Sequence, residues 1–348
     1  MEVINGYKID NFINDNSGCS MWTFARKGTR EFFIKRLLDP VYPMDDGTMS
    51  KELLDEKRKY CEEFEQKYRK LYNAVNRAGF GNLVRIEEFF RYDSKYYIVM
   101  EKVSSNSVSL EEISKISLND KYLLVKTVAF AFWCLHDAGV IHFDVKPSNI
   151  FVKKTSGGRY TGKIIDFDTG MFKDDIIGEI ELGGDLTYLA PETFLKMRGE
   201  DVNITEKIDI FALGLVFYQY FTGELPNFNI EEYEYYFGAA LEGANIDIDA
   251  TKTGDEMASL IRRMLDANPE NRPSAKEIVE YVNGISHEQV KSDIDITRTG
   301  ESSTFVSSKG SSRIIGMGSF GNESTTVLDS SVKTKEKKDE WFSTGGDL

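Results

Sequence analysis

The chain has 348 residues, with 43 Lys or Arg against 57 Asp or Glu, and its formal net charge is −14. This acidity argues against the charge-driven phosphate binding that dominates nucleic-acid affinity. The 41% of hydrophobic residues can form a core without disulfide or metal staples. No apolar run reaches about eighteen residues, so the sequence predicts no membrane span. The N-terminus lacks a basic region followed by an apolar one, so the sequence predicts no secretory signal.

The three cysteines, Cys19, Cys61 and Cys134, are widely spaced. Their spacing forms neither a disulfide framework nor a zinc pattern. We therefore expect a protein of a reducing compartment, the cytoplasm.

The first hundred residues alternate short apolar stretches with turn signals, a pattern typical of strands. The predicted strands are 7–13, 21–26, 32–37, 83–92 and 96–103. Between the third and the fourth, apolar residues recur every three or four positions over residues 50–76. This period predicts an amphipathic helix of unusual length.

After residue 104 the apolar period becomes helical. The predicted helices are 120–139 and 207–222, which are apolar nearly all round, and 257–265 and 274–282, which are amphipathic. The pattern predicts an α+β fold with two lobes. A small β-rich lobe with one long helix occupies about residues 1–103, and a larger, mainly helical lobe occupies about 104–285.

The composition changes near residue 285. Residues 286–348 contain 20 Ser or Thr in 63 positions, and few large apolar side chains. Such a segment buries too little apolar surface to offset its chain entropy, so it predicts a disordered tail. The tail has 8 basic and 10 acidic residues, so nearly all of the net charge lies on residues 1–285.

The most informative segment is residues 141–152, IHFDVKPSNIFV, which links an apolar helix to an apolar strand. It places Asp144, Lys146 and Asn149 within six positions. Phosphoryl transfer needs a carboxylate to accept the proton of the attacking hydroxyl, a cation to offset phosphoryl charge and an oxygen ligand for Mg²⁺. These three side chains can supply those roles.

A second acidic site follows a hairpin. The segment Lys163-Ile-Ile-Asp166 ends a predicted strand with a carboxylate, and the polar turn at 155–160 folds this strand back on the one before it. A carboxylate is a preferred ligand of hard cations. Asp166 is therefore a second candidate ligand for Mg²⁺.

These motifs resemble the eukaryotic-type protein kinase superfamily over roughly residues 7–285. Six segments or residues match the family patterns in register. They are His142-Phe-Asp144 for His-Arg-Asp, Asp166-Phe-Asp168 for Asp-Phe-Gly, Ala190-Pro-Glu192, Phe33-Ile-Lys35, Asp209 with Gly214, and Arg272. The intact Ala-Pro-Glu motif implies a protein substrate, and Lys146 is typical of Ser/Thr kinases. The simple tail makes the chain similar to soluble bacterial members.

The resemblance implies a bilobal kinase fold and the cofactors ATP and Mg²⁺. It assigns Asp144 as catalytic base and Lys146 as the cation that neutralises the transferring phosphoryl group. Other implied contacts with the nucleotide or its metal are Lys35, Glu65, Gly18, Glu101, Val103, Asn149 and Asp166, with Asn149 and Asp166 as the metal ligands. Glu65 is the expected helix partner of Lys35, and Glu62, one turn earlier, is the alternative.

Four positions depart from the family pattern. The phosphate loop keeps one glycine, Gly18, where three are usual, and Asp168 replaces the glycine after Phe167. Asp185 stands where Ser/Thr kinases usually carry a threonine. Phe143 replaces the arginine that binds a phosphorylated activation loop, so we expect activity that does not require that modification.

In the tail, Thr326 lies three residues before Asp329. This spacing resembles the phosphothreonine motif favoured by forkhead-associated domains. One hypothesis is that the kinase phosphorylates its own tail and so creates a docking site for such a partner. Two rival functions remain open: a pseudokinase scaffold, which the departures favour, and a kinase of small molecules.

Overall fold

The computed structural model describes residues 2–13, 20–103, 107–175 and 184–285. Three sequence predictions fall outside these residues. They are the contribution of Gly18 to the phosphate loop, the disordered tail over 286–348 and the motif at Thr326. In the described ranges, no helix is long and apolar enough to cross a membrane.

One antiparallel sheet of six strands forms the N-terminal lobe, in the order β1-β2-β3-β4-β6-β5. The strands are β1 (Glu2–Ile4), β2 (Tyr7–Ile9), β3 (Ser20–Lys27), β4 (Arg30–Leu37), β5 (Ile86–Tyr92) and β6 (Lys95–Glu101). The predicted strand 7–13 is shorter here, because the exposed Asp10 and Asn11 leave the sheet after Ile9. The three-residue β1 is too short for an alternation signal and was not predicted.

Strand alternation orients the key lysine of this sheet. Ile34 is fully buried in a small cluster on one face, with Ile9 and Val99. Because successive side chains of a strand point to opposite faces, Phe33 and Lys35 lie on the other face. That face is covered by the long helix, and Lys35 is buried there.

The long helix, α1, runs over Lys51–Ala78 and agrees with the predicted span 50–76. Ser50 caps it by accepting a hydrogen bond from the backbone N–H of Leu53 at 3.3 Å. Cys61, Leu71 and Val75 are buried on the face toward the sheet. The buried residues of α1 recur at helical spacing, so the apolar period of the sequence predicted the helix.

The C-terminal lobe is mainly helical. Its helices are α2 (Leu110–Lys115), α3 (Leu118–Asp137), α4 (Pro191–Met197), α5 (Lys207–Thr222), α6 (Tyr236–Leu241), α7 (Ala250–Thr253), α8 (Asp255–Met264) and α9 (275–285). Helix α5 has the predicted bounds and is buried from Ile208 to Phe221. A helix that is apolar all round belongs in a core, so α5 becomes the centre of this lobe.

Two small antiparallel pairs bring the candidate site residues together. Strands β7 (Val140–Ile141) and β10 (Met171–Phe172) pair, and so do β8 (Ile150–Lys154) and β9 (Tyr160–Ile164). The loop after β7 and the loop after β9 therefore lie side by side. Gly162 on β9 is required by packing, because a Cβ there would lie 2.5 Å from Cγ2 of Val128 on α3.

A buried ion pair fixes the start of α4. The Arg272 guanidinium donates to both carboxylate oxygens of Glu192, at 2.7 and 2.9 Å. Both residues are buried, and Arg272 also donates to the backbone oxygen of Asp266. Two-point pairing of this kind satisfies both charged groups away from water.

We expect Arg272→Met to lower the free energy of unfolding by about 3–5 kcal/mol, because it leaves the buried Glu192 carboxylate without its cation. Chemical denaturation followed by circular dichroism measures the change. The matched control is Arg198→Met, since the Arg198 side chain is 63% exposed, and its cost should stay within about 1 kcal/mol. Equal stability of the Arg272 variant and the native chain would contradict this account.

Candidate active site

The loop that follows β7 is held by one buried carboxylate. Asp209, in the first turn of α5, accepts hydrogen bonds from the backbone N–H groups of His142 at 2.9 Å and Phe143 at 3.0 Å. His136 Nε2 lies 2.9 Å from the same carboxylate. Phe143 adopts φ 69°, a left-handed conformation that costs a non-glycine residue about 1–3 kcal/mol. The Asp209 contacts offset that cost and fix the direction in which the loop continues.

The next residues of this loop bring the predicted catalytic groups together. Lys146 Nζ lies 2.9 Å from Asp144 Oδ2. Asn149 Nδ2 donates to the same carboxylate oxygen at 2.9 Å and to the Asp144 backbone oxygen at 2.8 Å. The Asp144 side chain is 16% exposed, so its carboxylate is oriented by neighbours yet reachable from solvent.

Lys35 joins the sheet to the loop after β9, which carries Asp166 and Asp168 and is called the acidic loop below. Its Nζ lies 2.7 Å from Asp166 Oδ1 and 2.8 Å from Asp168 Oδ2. Asp166 adopts φ 64°, so its backbone is also left-handed. A single ammonium group is thus shared by two carboxylates that lie two positions apart in the sequence.

The charges of this trio shift one another's pKa values. Burial by itself would lower the pKa of Lys35, but the Asp168 and Asp166 carboxylates together raise it above its ordinary value. Burial opposes ionisation of Asp166, yet the Lys35 ammonium outweighs it and holds the pKa of Asp166 below its usual range. For Asp168, burial raises the pKa, with a further contribution from the Asp166 charge. Lys35 is therefore held as a cation beside an ionised Asp166.

The structure does not bring Glu65 to Lys35. Glu65 Oε1 accepts a hydrogen bond from the Tyr96 hydroxyl at 3.1 Å and lies 3.3 Å from Arg91 Nε. Its other oxygen lies 3.7 Å from the Arg69 guanidinium, one turn along α1. Glu62, the alternative, is exposed. The expected partner of Lys35 is thus engaged with the β5–β6 edge of the sheet.

The segment after β6 was expected to offer backbone groups to adenine. The Glu101 N–H already donates to the backbone oxygen of Arg85 at 2.9 Å, so it is not free to bind a ligand. The Glu101 side chain is fixed by Lys163 Nζ at 2.6 Å. Val103, two residues after Glu101, is half-buried, and Met100, the residue before Glu101, is buried. Adenine recognition by Glu101 and Val103 stays a prediction.

The sequence of this chain matches a known protein family. The model of the protein kinase domain family matches residues 47–282, more than half of the chain. The chain belongs to the protein kinase family. The β-rich lobe with its long helix and the helical lobe are the two lobes of that fold.

Several curated proteins resemble this kinase domain. A serine/threonine-protein kinase of Drosophila melanogaster is 28% identical over 54% of this chain and 25% of its own length. The serine/threonine-protein kinase Pkn1 of Myxococcus xanthus is 30% identical over 49% and 24%. A Wee1-like protein kinase of Arabidopsis thaliana is 26% identical over 71% and 45%. The chain therefore spans between 24% and 45% of the length of these relatives.

The donor set of the kinase site fits a magnesium ion. Asp166 offers a carboxylate, and Asn149, whose Nδ2 donates to Asp144, is left with its amide oxygen as a ligand. Among the described residues, no group of three or more His, Cys, Asp or Glu could hold a metal by itself. Mg²⁺ is usually bound by one or two protein groups together with substrate phosphates. The Asp166 carboxylate and the Asn149 amide oxygen are therefore an appropriate pair of protein ligands.

Two contacts of the candidate site were not predicted from the sequence. The sequence marked Asp168 as a departure but did not identify it as a partner of Lys35, and it did not predict the contact of Tyr68, whose hydroxyl donates to the Asp168 backbone oxygen at 2.9 Å. An acid in place of the usual glycine was the available signal. Asp185, the departure from the usual threonine, accepts a hydrogen bond from the backbone N–H of Thr187 at 3.0 Å.

Proposed function

We propose that this chain is an ATP-dependent, Mg²⁺-assisted protein serine/threonine kinase. The observation that carries the proposal is the convergence of Lys146 and Asn149 on the Asp144 carboxylate, each at 2.9 Å, in a loop next to the one whose Asp166 pairs with Lys35. Family membership and the serine/threonine-protein kinases among its relatives support the same function.

Each side chain has a role in the transfer. Asp144 orients the attacking hydroxyl and accepts its proton, while Lys146, already beside that carboxylate, offsets charge on the transferring phosphoryl group. Asn149 and Asp166 would hold Mg²⁺, which neutralises phosphate charge when it is bound. Lys35 binds the α- and β-phosphates from the sheet side. The intact Ala190-Pro-Glu192 segment, fixed through Arg272, supports a protein as the acceptor.

Activity without activation-loop phosphorylation is part of the proposal. Between residues 169 and 189 the only hydroxyl side chains are Thr169, Thr187 and Tyr188. Thr169 donates to the His142 backbone oxygen at 3.0 Å, and Tyr188 donates to Gln219 at 2.9 Å. The hydroxyls of Thr169 and Tyr188 are thus already engaged, and Phe143 supplies no cation for a phosphate. Autophosphorylation of the tail near Thr326 and a forkhead-associated partner stay predictions, as does the cytoplasmic location.

The first test is transfer of labelled phosphate from ATP to a mixture of casein and histone. We expect Asp144→Asn to lower kcat by about 10²–10⁴-fold, because the general base is lost. The matched control, Asp137→Asn, changes an exposed acid at the end of α3 and should stay within about twofold. Absence of transfer by the native chain would contradict the proposal and favour a pseudokinase scaffold. Transfer only to small molecules would favour a kinase of small molecules.

The second test concerns the activation segment. Enzyme pretreated with a phosphatase, which is then removed, should give a linear time course from the first turnover, within about twofold of enzyme preincubated with MgATP. A lag that preincubation abolishes would overturn this part of the proposal. Thr169→Ala, Thr187→Ala and Tyr188→Phe, made singly and mapped by mass spectrometry, would then identify the modified residue.

A further inference from the structure

The kinase site contains a carboxylate that the resemblance does not assign. Asp168 follows Phe167 where the family has glycine, which has no side chain, and its Oδ2 lies 2.8 Å from Lys35 Nζ. The Lys35 side chain is only 11% exposed. A buried ammonium group needs a nearby opposite charge, because an unpaired charge away from water is strongly destabilising.

The helix that should supply that charge does not do so. Glu65 is held by Tyr96, Arg91 and Arg69, all on its own side of α1 or on the neighbouring strands. Bringing Glu65 to Lys35 would break these contacts and leave the Arg91 guanidinium without this carboxylate. The existing contacts therefore favour its present position.

Helix α1 presents aromatic side chains to the acidic loop instead. The Tyr68 hydroxyl donates to the Asp168 backbone oxygen at 2.9 Å, and the Tyr68 ring packs against Phe64 with 4.5 Å between ring centroids. Tyr72, one turn further, is buried. The helix thus holds the backbone of Asp168, and Asp168 holds the ammonium group.

We propose that Asp168, and not Glu65, is the carboxylate that positions Lys35 for the nucleotide phosphates. This inference rests on the proposed function. Asp166 is the candidate metal ligand, so its carboxylate is needed for the cation as well as for Lys35. Asp168 provides a second carboxylate, which keeps the ammonium group in place. Asp168 is a positioning residue, since it acts through Lys35.

The test is a double-mutant cycle on the full chain, with MgADP affinity measured by isothermal titration calorimetry. We expect Asp168→Asn to weaken MgADP binding by about tenfold, which corresponds to about 1.4 kcal/mol. In the Lys35→Met background the same substitution should cost less than about twofold, because the group it positions is gone. An effect through the metal or through folding would persist in that background.

Two further variants sharpen the comparison. Glu65→Gln should weaken binding less than Asp168→Asn does. Asp175→Asn is the matched control, because Asp175 lies in the same segment and pairs with Lys70 on α1, but its side chain is 40% exposed; we expect a change of less than about twofold. If Asp168→Asn does not fold, Asp168→Gly, the family residue, replaces it with the same expected loss.

Three results would overturn the inference: undiminished affinity in Asp168→Asn, an equal loss in both Lys35 backgrounds, or a larger loss in Glu65→Gln. Failure of the inference is distinguishable from failure of the proposed function. If the native chain binds MgADP and transfers phosphate but the cycle shows no coupling, only the role of Asp168 fails. If the native chain neither binds nor transfers, the kinase assignment of its activity fails.

Discussion

A buried ammonium group between two carboxylates is the interaction on which the active site depends. Lys35 comes from the sheet, and Asp166 and Asp168 come from the loop after β9, so the contact joins the two lobes. Burying a charge costs several kcal/mol unless it is paired. The pairing therefore favours one relative placement of sheet and loop, and Tyr68 adds α1 to it through the Asp168 backbone.

The loop that carries Asp144 also depends on a buried charge, here a negative one. The Asp209 carboxylate is buried and is satisfied by N–H groups of the loop rather than by Lys or Arg, which turns the loop so that Asp144 is accessible. Phe143 and Asp166, two of the four non-glycine residues with a left-handed backbone in the described ranges, occur in the two loops that carry the candidate site residues. Backbone strain at such positions persists only where surrounding contacts over-determine it.

Much of this arrangement could be predicted from the sequence. The helical period located α1 and α5, and the spacing of Asp144, Lys146 and Asn149 placed them in one loop. The partner of Lys35 could not be found in that way, because periodicity gives the inward face of α1 but not which strand each residue on it meets. Glu65 lies on α1, but its contacts with Tyr96 and Arg91 hold it at β5 and β6. Asp168 lies in a turn outside any strand or helix, where no sequence period predicts the direction of a side chain.

The most direct measurement is a crystal structure of the full chain with MgADP bound. We expect Lys35 Nζ to stay within hydrogen-bonding distance of an Asp168 carboxylate oxygen, and Glu65 to keep its contacts with Tyr96 and Arg91. A structure in which Glu65 has moved onto Lys35 and the Asp168 carboxylate lies beyond about 4 Å from it, the limit for an ion pair, would contradict the account.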